Sequence, residues 1–99
     1  MSQAQQATRT VTEIKYPDRF NVVILNDDFT PIEFVIQLLV EVFNNTIEEA
    51  KNVTVKVHED GKGVAGSYGL EIAEQKQQEA TIISRHHGHP LKVIIEKVD

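Results

Sequence analysis

The run FNVVILNDDFTPIEFV, residues 20–35, changes its hydrophobic period from two to about 3.6 across one short acidic loop. Phe20, Val22 and Ile24 alternate with Asn21, Val23 and Leu25, a β-branched pattern that predicts a strand. Beyond the loop, Thr30 is the expected N-cap, Pro31 suits the first helical position, and Glu33 closes a capping box with Thr30. Glu33, Gln37 and Glu41 then form one polar stripe, while Phe34, Val35, Leu38, Leu39, Val42 and Phe43 fill the other faces, so a deeply packed helix is expected. Asn26, Asp27 and Asp28 sit at the junction of strand and helix.

Working downstream, Asn44 and Asn45 stop the helix, and Thr46 with Glu49 forms a second capping box. Residues 52–57, NVTVKV, fit either a strand by alternation or a helix by continuity. The cap and the spacing of Ala50, Val53 and Val57 favour helix, with Gly61 and Gly63 as the stop. A short Gly-rich strand over residues 63–68 follows. A third helix opens at Leu70, is apolar at Ile72, Ala73, Ala80 and Ile83, and ends near Gly88 and Pro90. LKVIIE, residues 91–96, reads as the last strand. The order strand, helix, helix, strand, helix, strand is that of an α+β domain over residues 18–99. Upstream, residues 1–17 show no sustained period and are expected to form a flexible extension.

Composition restricts the function. Ninety-nine residues support one domain, and 40% hydrophobic with 25% charged residues is ordinary for a globular chain. Without cysteine, neither disulfides nor thiolate metal sites are available, so packing alone must hold the fold. A net charge of −5 disfavours nucleic acid and anionic membranes and suits a cationic ligand. No apolar run of about 18 residues and no signal-like start occur, so a cytoplasmic location is expected.

The acidic pair has a simple explanation: carboxylates near a helix N-terminus gain about 0.3–1 kcal/mol each from the dipole. With Thr30 as the expected cap, however, Asn26, Asp27 and Asp28 exceed what capping needs, and surplus acceptors point to a ligand with donors. The spacing lacks the alternating oxygens and terminal Glu of a calcium loop, and adjacent aspartates do not fit the separated carboxylates of a glycosidase. His86, His87 and His89 lie where a helix ends, so the negative dipole end accounts for them without a metal. His58 alone has no assignable role. Ser67 and Ser84 are in no nucleophile elbow, and no catalytic residue or cofactor is expected.

Four strings in this order carry a resemblance: VVILNDDFTPIEFV (22–35), VHEDGKGVAG (57–66), EIAEQK (71–76) and HGHPL (87–91). Together they resemble the ClpS family, adaptors that deliver N-degron substrates to the ClpAP protease, over about residues 16–96. The resemblance implies a small three-stranded antiparallel sheet packed against three helices. It also implies a monomeric adaptor for proteins beginning with Leu, Phe, Tyr or Trp. Asn26, Asp27 and His58 would hold the α-ammonium, and Asp28 the following backbone. Leu25, Thr30, Ile32, Val35, Thr54, Val57 and Leu91 would form the pocket for the first side chain. Glu71, Glu74 and Lys76 would contact a ClpA-type AAA+ unfoldase, with the extension engaged during handover; on local evidence alone those three are a solvated charged face. Thr54 departs from the Met of the best-known members, as Ile32 does at another position often Met, and a shift of preference from Leu towards Tyr or Trp is expected. An imidazole accepts from an ammonium only when neutral, so binding should weaken on acidification. Two other readings make different demands: a scaffold using its apolar helices requires no convergence of these residues, and a hydrolase requires a nucleophile or metal.

Overall fold

The computed structural model describes residues 17–99, and the flexible extension expected over 1–17 lies almost wholly outside the described residues. The elements are β1 (Phe20–Leu25), α1 (Ile32–Phe43), α2 (Ile47–Asp60), β2 (Lys62–Tyr68), α3 (Leu70–His86) and β3 (Lys92–Lys97). The sheet is antiparallel with order β2-β1-β3, so the strand of the opening sequence is central. Val22 and Ile24 pair across β3 with Ile95 and Val93, which sets one apolar face toward the helices. On β2 the register slips between Val22 and Val23, leaving Ala65 as the extra residue of a bulge, buried in the core.

The three helices cover that face. In α1, Val35, Leu38, Leu39, Val42 and Phe43 are buried while Glu33, Gln37 and Glu41 are exposed, and the stripe is reinforced by Gln37 donating to Glu41 at 3.1 Å. Asn44, in the left-handed region at φ 57°, ends it. In α2 both hydrogen bonds of the Thr46–Glu49 capping box form, and Ala50, Thr54 and Val57 are the buried face. Residues 52–57 are therefore helical: the spacing of the buried side chains is 3.6-like, and Val55 of the alternating set is exposed. Ala73, Ala80 and Ser84 form the buried seam of α3, small enough for the helix to lie close to the sheet.

Two local expectations are corrected. Thr30 is not the N-cap of α1: Pro31 occupies that position without a side-chain bond, because the Thr30 hydroxyl donates to Asp27 instead of accepting from Glu33. Ile72 points outward, 47% exposed, since the buried seam of α3 runs through Ala73. His58, to which local reading gives no role, is exposed at the end of α2.

Candidate functional site

Where the C-terminal end of β1, the start of α1 and the last turns of α2 meet, a cavity of about 260 Å³ opens to the surface. Its lining is Leu25, Asn26, Asp27, Asp28, Thr30, Ile32, Val35, Thr54, Val57, His58 and Leu91, so the four polar and seven pocket residues singled out from the sequence share one space. Burial divides them. Val35, Thr54, Val57 and Leu91 are buried and make the floor, while Asn26, Asp28, Ile32 and His58 are exposed and make the rim.

Backbone bonds fix these positions. The Asn26 N–H donates to the Gly61 carbonyl at 2.9 Å, and the Gly61 N–H donates to Val57 at 3.1 Å. Gly61 adopts φ 87°, a left-handed cap that turns the chain at the end of α2 and ties the acidic loop beside the turn carrying Val57 and His58. Gly63 permits the close approach of β2 to α2: an added Cβ would lie 2.9 Å from both the Val53 carbonyl and a Val57 methyl. Leu91 is brought to the floor by Arg85, whose Nη1 donates to the carbonyls of His89 and Leu91 at 3.0 and 2.7 Å. Thr54 donates its hydroxyl to the Ala50 carbonyl at 2.7 Å.

Asp27 organises the loop. Its Oδ1 accepts from the Phe29 and Thr30 N–H groups at 2.7 Å each, and its Oδ2 accepts from the Thr30 hydroxyl at 2.8 Å. Partial burial alone would raise its pKa, but those bonds, with a smaller contribution from the charge of His89, hold the carboxyl below the usual range. The inference from surplus acceptors is thereby narrowed: Asp27 is largely occupied in closing the loop before α1. A carboxylate offers about four lone-pair sites, so one remains for a donor at the rim.

The other candidates lie elsewhere. Glu71 and Glu74 are exposed on the first turns of α3, and half-buried Lys76 donates to the Val42 carbonyl at the end of α1, at 2.7 Å. His87 caps α3 and packs with His89 on Phe34, at ring separations of 5.3 and 4.5 Å. Among the described residues, no three His, Asp or Glu side chains group as metal ligands would. Sequence reading missed the electrostatic influence of His89 on Asp27 and an apolar groove beside the cavity that shares Ile32, Thr54 and His58 as its wall. The HGHPL string was noticed, but no period or spacing carries a side chain from there to residue 27. Among the described residues no helix is long and apolar enough to cross a membrane.

Known proteins resemble this chain along most of its length. The family model described as ATP-dependent Clp protease adaptor protein ClpS matches residues 15–94. The ClpS adapter protein of Helicobacter hepaticus is 45% identical over 87 residues, covering 88% of each chain. That of Vibrio atlanticus is also 45% identical, covering 88% of this chain and 82% of the relative. A solved structure of Agrobacterium tumefaciens ClpS2 bound to L-phenylalaninamide superposes with a TM-score of 0.80 at 35% identity, covering 84% of this chain and all of the other.

Proposed function

The chain belongs to the ClpS family of Clp protease adaptors, and on that premise we propose that its cavity captures the first residue of a protein destined for degradation. The bulky apolar side chain enters the floor formed by Val35, Val57 and Leu91, and the α-ammonium rests at the rim between Asn26, Asp27 and His58. Asp28 holds the backbone that follows. The observation that carries this reading is the meeting of exposed acceptors and a buried apolar floor in one cavity. The ligand of the Agrobacterium relative adds chemical support: L-phenylalaninamide has a free α-amino group, one apolar side chain, and an amide where a peptide would continue.

Two weak halves make the binding selective. Burying one large side chain contributes about 1.5–3 kcal/mol, and a charge-assisted hydrogen bond about 1.5–3 kcal/mol. Micromolar affinity needs about 8 kcal/mol after association costs. An internal Phe or Leu lacks the ammonium and falls short. An ammonium followed by a small side chain leaves the floor empty and falls short too.

Binding without catalysis fits the same residues. The two hydroxyls of the cavity, on Thr30 and Thr54, donate to Asp27 and to the Ala50 carbonyl, so neither is paired with His58 as a nucleophile would be. The scaffold reading fares worse, because it gives no account of exposed acceptors gathered over a buried apolar floor. Delivery then requires a ClpA-type AAA+ unfoldase, contacted through Glu71, Glu74 and Lys76, with residues 1–17 engaged at handover.

The deciding experiment compares a fluorescent peptide beginning with Phe against its N-acetylated twin by anisotropy. The free amine is expected to bind in the micromolar range or tighter and the acetylated peptide at least about a hundredfold more weakly, a loss of about 2.7 kcal/mol. Equal binding of the two would overturn the reading.

A further inference from the structure

The floor of the cavity is apolar except at one point. Among the described residues only two polar side chains are buried, Thr54 at 7% exposure and Ser84 at 0%. Both donate to the carbonyl four residues earlier, Thr54 to Ala50 and Ser84 to Ala80, each at 2.7 Å. Ser84 lies in the seam of α3 and takes no part in the cavity lining, whereas Thr54 is part of that lining.

A hydroxyl has one proton and two lone pairs. The Thr54 proton is committed to the helix backbone, so toward a ligand this oxygen can only accept. Of the other polar lining residues, Asn26, Asp28 and His58 are exposed at the rim, and half-buried Asp27 and Thr30 are bonded to each other.

We propose that Thr54 is a specificity-determining acceptor, which makes the cavity favour first residues whose aromatic side chain carries its own donor, Tyr or Trp, over Phe and Leu. The proposal rests on the cavity being the site of the first residue. A Tyr O–H or an indole N–H pairs with the oxygen in a site where water is displaced. Phe and Leu bury the same oxygen without a donor, which weakens them relative to the aromatic donors but does not exclude them, since Thr54 keeps its bond to Ala50. A thioether or another acceptor at the tip gains nothing.

The test measures dissociation constants of four peptides identical except for Phe, Leu, Tyr or Trp at position one, each with an N-acetylated control, on the wild-type chain, Thr54→Val and Thr54→Ser. Thr54→Val is nearly isosteric and removes the oxygen; Thr54→Ser keeps it. The wild type is expected to bind the better of the Tyr and Trp peptides about three- to tenfold more tightly than Phe. Thr54→Val should abolish that ratio without weakening Phe or Leu, and Thr54→Ser should retain it. Tyr-to-Phe and Trp-to-Phe ratios unchanged by Thr54→Val overturn the proposal, as does a wild type that prefers Leu or Phe. If Thr54→Val fails to fold, a flat ranking in the wild type and Thr54→Ser still overturns it. Acetylated controls that bind as well as free amines overturn the earlier reading instead.

Discussion

The cavity and the outer face of α3 were marked by one resemblance, yet they differ in how the fold treats them. Around the cavity, residues from β1, the acidic loop, α1, α2 and the approach to β3 converge, and backbone bonds to Gly61, Ala50 and Leu91 fix several of them in place. On α3, Glu71 and Glu74 stand in solvent, and Lys76 already has a partner in the Val42 carbonyl. A pre-organised concave site binds with little ordering cost, whereas exposed charges are free to meet a partner but carry no shape. The contrast separates residues whose loss should be felt by a small ligand from residues whose loss should be felt only by a protein.

The strongest way to break this contrast is Asp27→Ala. It removes an acceptor at the rim and the three bonds that shape the loop, so peptide affinity is expected to fall about a hundredfold, with about 1–3 kcal/mol lost from stability. Asp28→Ala, without resolved bonds to the loop, should cost only a few-fold in affinity, measured by the same anisotropy titration. Acid offers an independent check. A carboxyl held below its unfolded-state pKa contributes stability that is fully present above that unfolded value and fades as pH falls through the native one. Urea midpoints of the wild type and Asp27→Asn should therefore converge only below the usual carboxylate range, and a gap that closed nearer neutrality would contradict the bonding described.

Gly61 links the two ends of the site, and its substitution ranks next. Valine at φ 87° is strained by about 1–2 kcal/mol even though an added Cβ meets nothing within 4 Å. Gly61→Val should lower stability by that amount and weaken peptide binding, because the Asn26 N–H loses its placement beside α2. Gly61→Asn, which tolerates the left-handed region, should lose less on both counts. If the two variants behave alike in urea denaturation and titration, conformation at Gly61 does not set the geometry of the rim.

These residues also show what could be read from the chain. The change of period across residues 20–35, the Thr46–Glu49 box and the glycine stops made the element order legible, because each is a local signal whose cause lies within a few residues. The start of α1 was misread for the opposite reason: Thr30 has two competing partners, and the choice of Asp27 over the Glu33 backbone depends on how the loop closes against Gly61. Strand order and the bulge at Ala65 involve pairings between residues far apart in the chain, from Leu25 with Lys62 to Phe20 with Lys97, for which alternation carries no register. The cavity members were named through the resemblance. By local reading the acidic loop implied a cation, His58 implied nothing, and no period joins residues 26, 58 and 91.

On α3 the expected effects shrink and change kind. Lys76→Met keeps the length of the side chain but loses the bond to the Val42 carbonyl, which should cost about 1 kcal/mol of stability. Peptide affinity should stay at the wild-type value, and degradation of a Phe-initiated reporter by a ClpA-type unfoldase with its protease should slow. A fall in peptide affinity would show that the two regions are coupled through α1.

Glu71→Ala and Glu74→Ala are the smallest perturbations to the adaptor itself. Both side chains are solvated, so stability should stay within about 0.5 kcal/mol and peptide titration should be unchanged. Their effect belongs to the reconstituted degradation assay alone, where a docking surface made of charges should lose rate steeply as salt is raised, even in the wild type. Degradation that proceeds at the wild-type rate with both glutamates removed, and with no greater salt resistance, would leave this face as ordinary solvated helix. The cavity would then stand as the one recognition surface marked on this chain, and contact with the unfoldase would have to be made through other residues.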